Sequence, residues 1–372
     1  MYHTNIMRKK ILNNLFLFLP LIILNIISLL NMVNAKLINS SYNYAFYKQL
    51  LWFILGYIII FIISKIKIKK LFKYSNYLYI LSCFLLILVL FVGSNINGAK
   101  CWLNIFGFSF QPSELVKFTL ILSYINVYSN TKIKTFKDEF ILILKFFILT
   151  IIPSILVFLE PDTGAIINYL IIFMIMIFSS KLNKWWYISF FSILTIFISV
   201  FFVMFFFFQD SLISIVGTSI FYRMDRIINF TNGSSYQLEN ALITIGAASF
   251  FSFKINDILL YIPEAPTDFI FAFSIGNFGI FSSILILLSY LSIIIFILIK
   301  TNKLKNNNSK KFIYSFLGIF LFHIIYNISM NIGILPIMGI PLPFLSYGGT
   351  NTLINFIFIG FILNFINEKR YN

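Results

Sequence analysis

Apolar runs of roughly 18 or more residues recur along the whole chain, and no other feature limits its possible folds so strongly. They lie near 11–33, 47–64, 74–93, 113–129, 139–159, 163–180, 185–208, 268–299, 312–335 and 345–367. Each is long enough to cross a hydrocarbon layer of about 30 Å as a helix. Lipid offers the backbone no hydrogen-bond partners, so such runs must bond within themselves, which helices do. The expected fold is an all-α polytopic membrane protein of about ten transmembrane helices.

Charge supports that count independently. Arg8, Lys9 and Lys10, then Lys65, Lys67, Lys69, Lys70 and Lys73, fall between apolar runs on one side of the membrane. Lys132, Lys134, Lys137, Lys181, Lys184, Lys300, Lys303, Lys305, Lys310, Lys311, Lys369 and Arg370 fall on the same side. Glu160, Asp162, Asp210, Asp225, Glu239, Asp257, Glu264 and Asp268 fall on the other side or at its edge. Basic connections mark the cytoplasm, so both termini are expected there and the large connection at about 209–267 is expected outside. A net charge of +16 therefore needs no nucleic acid, because the basic residues do not alternate with aromatics along one groove. The chain is 60% hydrophobic and 11% charged, with mean hydropathy +0.94, and no soluble core hides that much apolar surface. No repeat divides it, nor any linker beyond the Asn-Lys loop at 301–311, so residues 1–372 are expected to form one membrane domain.

Cys83 lies in an apolar run and Cys101 in a polar loop, which gives neither a disulfide framework nor a metal signature. His323 sits inside a span, where an ionisable side chain is either functional or tied into an interhelical hydrogen bond. Arg8-Lys9-Lys10 and Val33-Asn34-Ala35 bracket a stretch that mimics a signal peptide. It exceeds an h-region of about 7–15 residues, so a retained first span is expected.

Several polar groups fall at or near membrane depth. Glu114 and Lys117, three residues apart, share a helix face; a structural ion pair and a polar cavity wall fit that spacing equally. Asp268 opens a span at the water–lipid boundary, where desolvation would suit a carboxylate to general-base work. Thr267 could cap that helix with Asp268 in its first turn, and the two roles are compatible. The run from Pro341 to Gly349 is too broken for a helix; the amides of Gly348 and Gly349 suit an anionic head group, and a tight interhelical turn fits the run as well. Trp102, beside Lys100, is either an interfacial anchor or a platform for a sugar ring. The outer connection carries Arg223, Asp225, Arg226, Tyr236, Gln237 and Glu239 and is expected to fold back onto the membrane surface.

Six stretches occur in one order: NGAKCWL from Asn97, QPSELVK from Gln111, EPDTG from Glu160, Tyr236-Gln237, PEAPTDFIFA from Pro263 and GIPLPFLSYGG from Gly339. In these the chain resembles the SEDS family of peptidoglycan glycosyltransferases (shape, elongation, division and sporulation), and the likeness covers nearly its whole length. The resemblance implies polymerisation of lipid II on the outer face of the bacterial cytoplasmic membrane, beside a class B penicillin-binding protein transpeptidase. It implies that Asp268 is the catalytic base and that Trp102, Glu114, Lys117 and Asp162 line an outward cavity. Lys100, Arg226, Gln237, Glu264, Thr267, Ser346, Gly348 and Gly349 complete the expected substrate site. No cofactor is firmly implied; a divalent cation (Mg or Mn) held by acids such as Glu114 or Asp162 is the one the site would accommodate.

The chain departs from the family pattern at Pro266, where His is usual, and at Gly276-Asn277, where a Glu-Glu pair is usual. Its stretch from Gly246 to Phe251 is poorer in glycine. Two other readings stay open: a flippase or transporter of the lipid-linked precursor, and a catalytically weakened scaffold for the transpeptidase.

Overall fold

The computed structural model describes residues 2–96, 99–105, 108–208, 236–251 and 262–367. Its helices are α1 (Tyr2–Ile38), α2 (Ala45–Ile63), α3 (Ile68–Lys73), α4 (Ser75–Val92), α5 (Pro112–Asn130), α6 (Phe136–Leu159), α7 (Thr163–Ser179) and α8 (Lys184–Phe207). They continue with α9 (Tyr236–Gly246), α10 (Ile270–Phe278), α11 (Ile280–Asn302), α12 (Asn307–Asn331) and α13 (Gly349–Asn367). Among the described residues seven helices, α1, α2, α4, α6, α11, α12 and α13, are long and apolar enough to cross a membrane. The fold is all-α and polytopic, and every expected span coincides with one or more of these helices.

The run expected as a single span at 268–299 is two helices. Gly279 divides them at φ +78°, a conformation that side chains resist. The carbonyls of Ser249 and Phe250 accept the N–H groups of Ile280 and Phe281, each at 3.1 Å. A Cβ at Gly279 would stand 2.5 Å from the Phe250 oxygen, so the glycine-poor stretch after α9 seats its own backbone against the break.

The polar loop expected around Cys101 holds three antiparallel strands, β1 (Ser94–Ile96), β2 (Ala99–Ile105) and β3 (Phe108–Phe110). Ser94 pairs with Trp102 and Leu103 with Phe110. Within the outer connection, α9 buries Leu238, Ala241 and Thr244 and packs on α10 and α12.

α5 is the axis of the bundle. It is less apolar than its neighbours, yet all its side chains from Pro112 to Ile125 are buried except Leu115. α4, α6, α7, α12 and α13 surround it, and Phe118 stacks on Phe361 at 5.2 Å. Lipid-facing positions need no polar partners, so polarity concentrates where protein surrounds the helix. α2 and α13 meet most closely, with Gly56 against the ring of Phe356 and Gly349 under the indole of Trp52.

Hydrogen bonds between connections define the two ends of the bundle. At one end Tyr42 meets Glu264, Gln49 meets Ser346, Tyr347 meets Pro266, and Gln111 meets Asp162. At the other, Asn364 holds the carbonyls of Ile63 and Ile66, Lys311 holds Ser179 and Ser180, and Glu139 holds Asn183 and Trp186. The first end gathers the motif segments.

Candidate active site

The turn Pro263–Phe269 carries Asp268 just ahead of α10, outside the membrane-spanning helices. Glu264 adopts φ +54°, and its carbonyl accepts the N–H groups of Thr267 (3.2 Å), Asp268 (3.0 Å) and Phe269 (3.3 Å). Thr267 does not cap the helix. Its hydroxyl donates to the carbonyl (3.0 Å) and the Oε2 (2.9 Å) of Glu264, while Phe269 occupies the cap position with no side-chain bond. The turn closes instead on Glu264, three residues before Thr267.

The segment between α12 and α13 clamps this turn. Ser346 Oγ donates to the Thr267 carbonyl at 2.6 Å and accepts the Leu342 N–H at 2.8 Å. The N–H of Tyr347 donates to the Pro266 carbonyl at 2.8 Å, so the proline standing in place of the family's usual histidine serves the junction through its backbone. Gln49 of α2 lies 3.4 Å from both the Ser346 carbonyl and the Gly348 N–H. From α12, Asn327 and Asn331 donate to the carbonyl of Asp268 at 2.8 and 3.1 Å. Neither asparagine was among the expected site residues.

Asp268 is half-buried, and Gly339 faces its Oδ2, with a Cβ there 3.6 Å away. Among the described residues no hydrogen bond or ion pair reaches its carboxylate. Burial, and secondarily the charge of Glu264, pushes its carboxyl up to about 7.

A second group sits across the Gly339–Pro341 segment. Lys117 Nζ lies 2.7 Å from Glu114 Oε2, and both side chains are buried. Asp162 caps α7 through the Ala165 N–H (3.1 Å) and also accepts Gln111 Nε2 (2.8 Å) and Ser113 Oγ (3.0 Å). Gly164 packs on Ile340, the neighbour of Gly339. The ring nitrogens of His323 lie 3.1 Å from the Pro341 carbonyl and 3.1 Å from the side-chain amide of Asn168, which ties α12 to α7 as an interhelical link. Glu160, fully buried before a Pro161 strained to φ +36°, has no hydrogen-bond partner on either oxygen among the described residues. Burial first, and then Asp162, pushes its carboxyl up to about 8.

The remaining expected residues divide. Lys100 Nζ donates to the Leu90 and Phe91 carbonyls at 2.8 and 3.1 Å, so it caps the C-terminus of α4. Trp102 is half-buried in β2, and Gln237 is half-buried on α9. Gly348 borders open space, whereas a Cβ on Gly349 would strike Trp52 at 2.5 Å. Arg226, like Arg223 and Asp225, lies outside the described residues. Asn277 is buried on α10, its amide donating to Asn31 of α1 at 2.9 Å, and thus belongs to helix packing.

The acids do not fit a divalent cation. Among the described residues no three His, Cys, Asp or Glu side chains group as ligands; Glu114 is taken by Lys117 and Asp162 by three donors.

Fold and site together define a polytopic helical membrane protein with a carboxylate centre at one end of its bundle. The chain matches the family described as cell cycle protein (FtsW, RodA and SpoVE) over residues 9–371, and it belongs to that family. It is 33% identical to the probable peptidoglycan glycosyltransferase FtsW of Wigglesworthia glossinidia brevipalpis, covering 98% of this chain and 97% of the relative. The corresponding protein of Coxiella burnetii is 31% identical over 92% of this chain and 93% of its own length. The fold is similar to a chain from a peptidoglycan synthase complex that coordinates polymerization and crosslinking, with TM-score 0.75, 22% identity, and 95% and 98% of the two chains covered. It is similar also to Thermus thermophilus rod shape determining protein RodA, with TM-score 0.64, 21% identity, and 95% and 97% covered. The chain is thus a multi-pass protein of the bacterial cytoplasmic membrane.

Proposed function

We propose that this chain is a peptidoglycan glycosyltransferase that polymerises lipid II into glycan strands at the outer face of the cytoplasmic membrane. Its partner is a class B penicillin-binding protein transpeptidase, a reading supported by the synthase complex whose chain shares this fold. The relatives' names support the activity.

The observation that carries the chemistry is the Asp268 carboxylate, half-buried and with no donor on it among the described residues. Such a group is basic enough to take a proton and is not already engaged. The acceptor's sugar hydroxyl gives its proton to Asp268 as its oxygen bonds to the donor's anomeric carbon. The bond from that carbon to undecaprenyl pyrophosphate breaks, and the pyrophosphate leaves with the electron pair. In this reading Lys117 and Arg226 offset its developing charge, while Trp102, Glu114, Asp162, Gln237 and Gly348 line the path of the sugars.

The test is polymerisation of purified lipid II by the reconstituted protein and its partner, beside Asp268→Asn. Strands from wild type and none from a folded Asp268→Asn protein are expected. Strands from both would remove Asp268 as the base, and strands from neither would remove the polymerase reading.

A further inference from the structure

In an unbroken helix the N–H of Ala272 would donate to the carbonyl of Asp268, four residues earlier. Here Asn331 of α12 stands in that gap. Its Oδ1 accepts the Ala272 N–H at 3.0 Å, and its Nδ2 donates to the Asp268 carbonyl at 3.1 Å. Asn327, one turn back, adds a second N–H to the same carbonyl at 2.8 Å. Its other amide hydrogen goes to the carbonyl of Ile340, also at 2.8 Å. Both asparagines are completely buried, and Asn331 Nδ2 also donates to the Asn327 carbonyl at 2.8 Å. The first regular bond of α10 is then Phe273 N–H to the Phe269 carbonyl, at 2.9 Å.

A side chain inserted into a helical ladder bends or ends the helix where it enters. The insertion here falls between Ala272 and Asp268. It leaves Asp268 off the helix, with its peptide gripped from α12 and its carboxylate beside Gly339. The same Asn327 amide grips the residue after Gly339, so one side chain sets the spacing of both walls.

We infer that Asn327 and Asn331 are positioning residues for Asp268: the Asn331 amide replaces the first hydrogen bond of α10, and the two amides together grip the Asp268 carbonyl and fix the carboxylate against the Gly339 segment. This rests on Asp268 being the base of the proposed polymerase. Neither amide touches the carboxylate, so their effect is on where it stands.

The test uses the full-length protein in proteoliposomes with its partner and lipid II. Wild type is compared with Asp268→Asn, Asn327→Leu, Asn331→Leu, Asn327→Gln and Asn364→Leu, each with its thermal unfolding measured. Asn364 is a buried asparagine at the opposite end, donating to the Ile63 and Ile66 carbonyls; its leucine variant costs stability and leaves kcat in place. Displacement of a reacting group by an ångström costs about 100-fold, so Asn327→Leu and Asn331→Leu are expected to lose kcat on that scale with KM within about twofold. Asn327→Gln, which keeps a donor on a longer arm, recovers part of the loss. If Asn327→Leu does not fold, Asn331→Leu and Asn327→Gln carry the comparison. Wild-type kcat in folded leucine variants, beside an inactive Asp268→Asn, overturns the positioning role. An equal kcat loss in Asn364→Leu overturns it too. A wild type that makes no strands overturns the polymerase reading instead.

Discussion

Ser346 Oγ donates to the carbonyl of Thr267 at 2.6 Å, joining residues 79 apart in the chain. One hydroxyl thereby locks the turn that precedes Asp268 to the segment that precedes α13. Ser346→Ala leaves the Leu342 N–H and the Thr267 carbonyl without that partner. A loss of about 1–3 kcal/mol is expected, read by thermal unfolding, together with a lower polymerisation rate. Full activity at unchanged stability would show that the clamp is dispensable.

Asp268 titrates near 7, held up by burial and then by Glu264. A base works deprotonated, so the polymerisation rate is expected to rise with pH up to about 7 and level off above it. Below that value the rate falls about tenfold per pH unit. The measurement is kcat against pH under saturating lipid II. An acid limb near an ordinary aspartate value of about 4 would contradict it.

Lys117→Ala strands the buried Glu114 carboxylate. Breaking a buried pair costs about 3–5 kcal/mol, and adding Glu114→Gln is expected to restore most of that stability. If Lys117 also meets the substrate, the double variant unfolds like wild type yet still uses lipid II poorly. A double variant with normal activity would reduce the pair to helix packing.

Glu160 supplies a stability test independent of catalysis. Its carboxyl is raised from 4.5 to about 8 in the folded protein. Between those values the folded chain holds a proton that the unfolded chain has released. Stability therefore falls as pH rises through that window, and the loss is complete above about 8. Glu160→Gln cannot ionise, so its unfolding temperature is expected to vary less with pH than that of wild type. Parallel curves for the two proteins would contradict the assignment.

Much of the fold was legible because lipid imposes one rule on every span, and apolar length alone located α1, α2, α4 to α8, α12 and α13, with α10 and α11 as one run. The break at Gly279 was not legible. It depends on the Ser249 and Phe250 carbonyls, which reach it from a segment with no marked pattern. Asp162 entered only through the family resemblance, while Glu114 and Lys117 stood out as charges inside a span and Asp268 as a carboxylate at the edge of one. Asn327 and Asn331 did not, in a chain rich in asparagine, although polar side chains four apart in an apolar helix are themselves a signal. What they hold is a backbone carbonyl, and no sequence pattern marks which carbonyl a side chain will find.

The polarity of α5 bears on how the molecule is made. A helix carrying Glu114 and Lys117 is a poor guest for lipid by itself, and charged residues disfavour insertion. Two of the helices that enclose it, α12 and α13, are synthesised well after it. The nascent chain must therefore shelter its central helix against α4 and α6, or against the insertion machinery, until the C-terminal helices arrive. A chain stopped after α8 would leave that helix open on the side that α12 and α13 close.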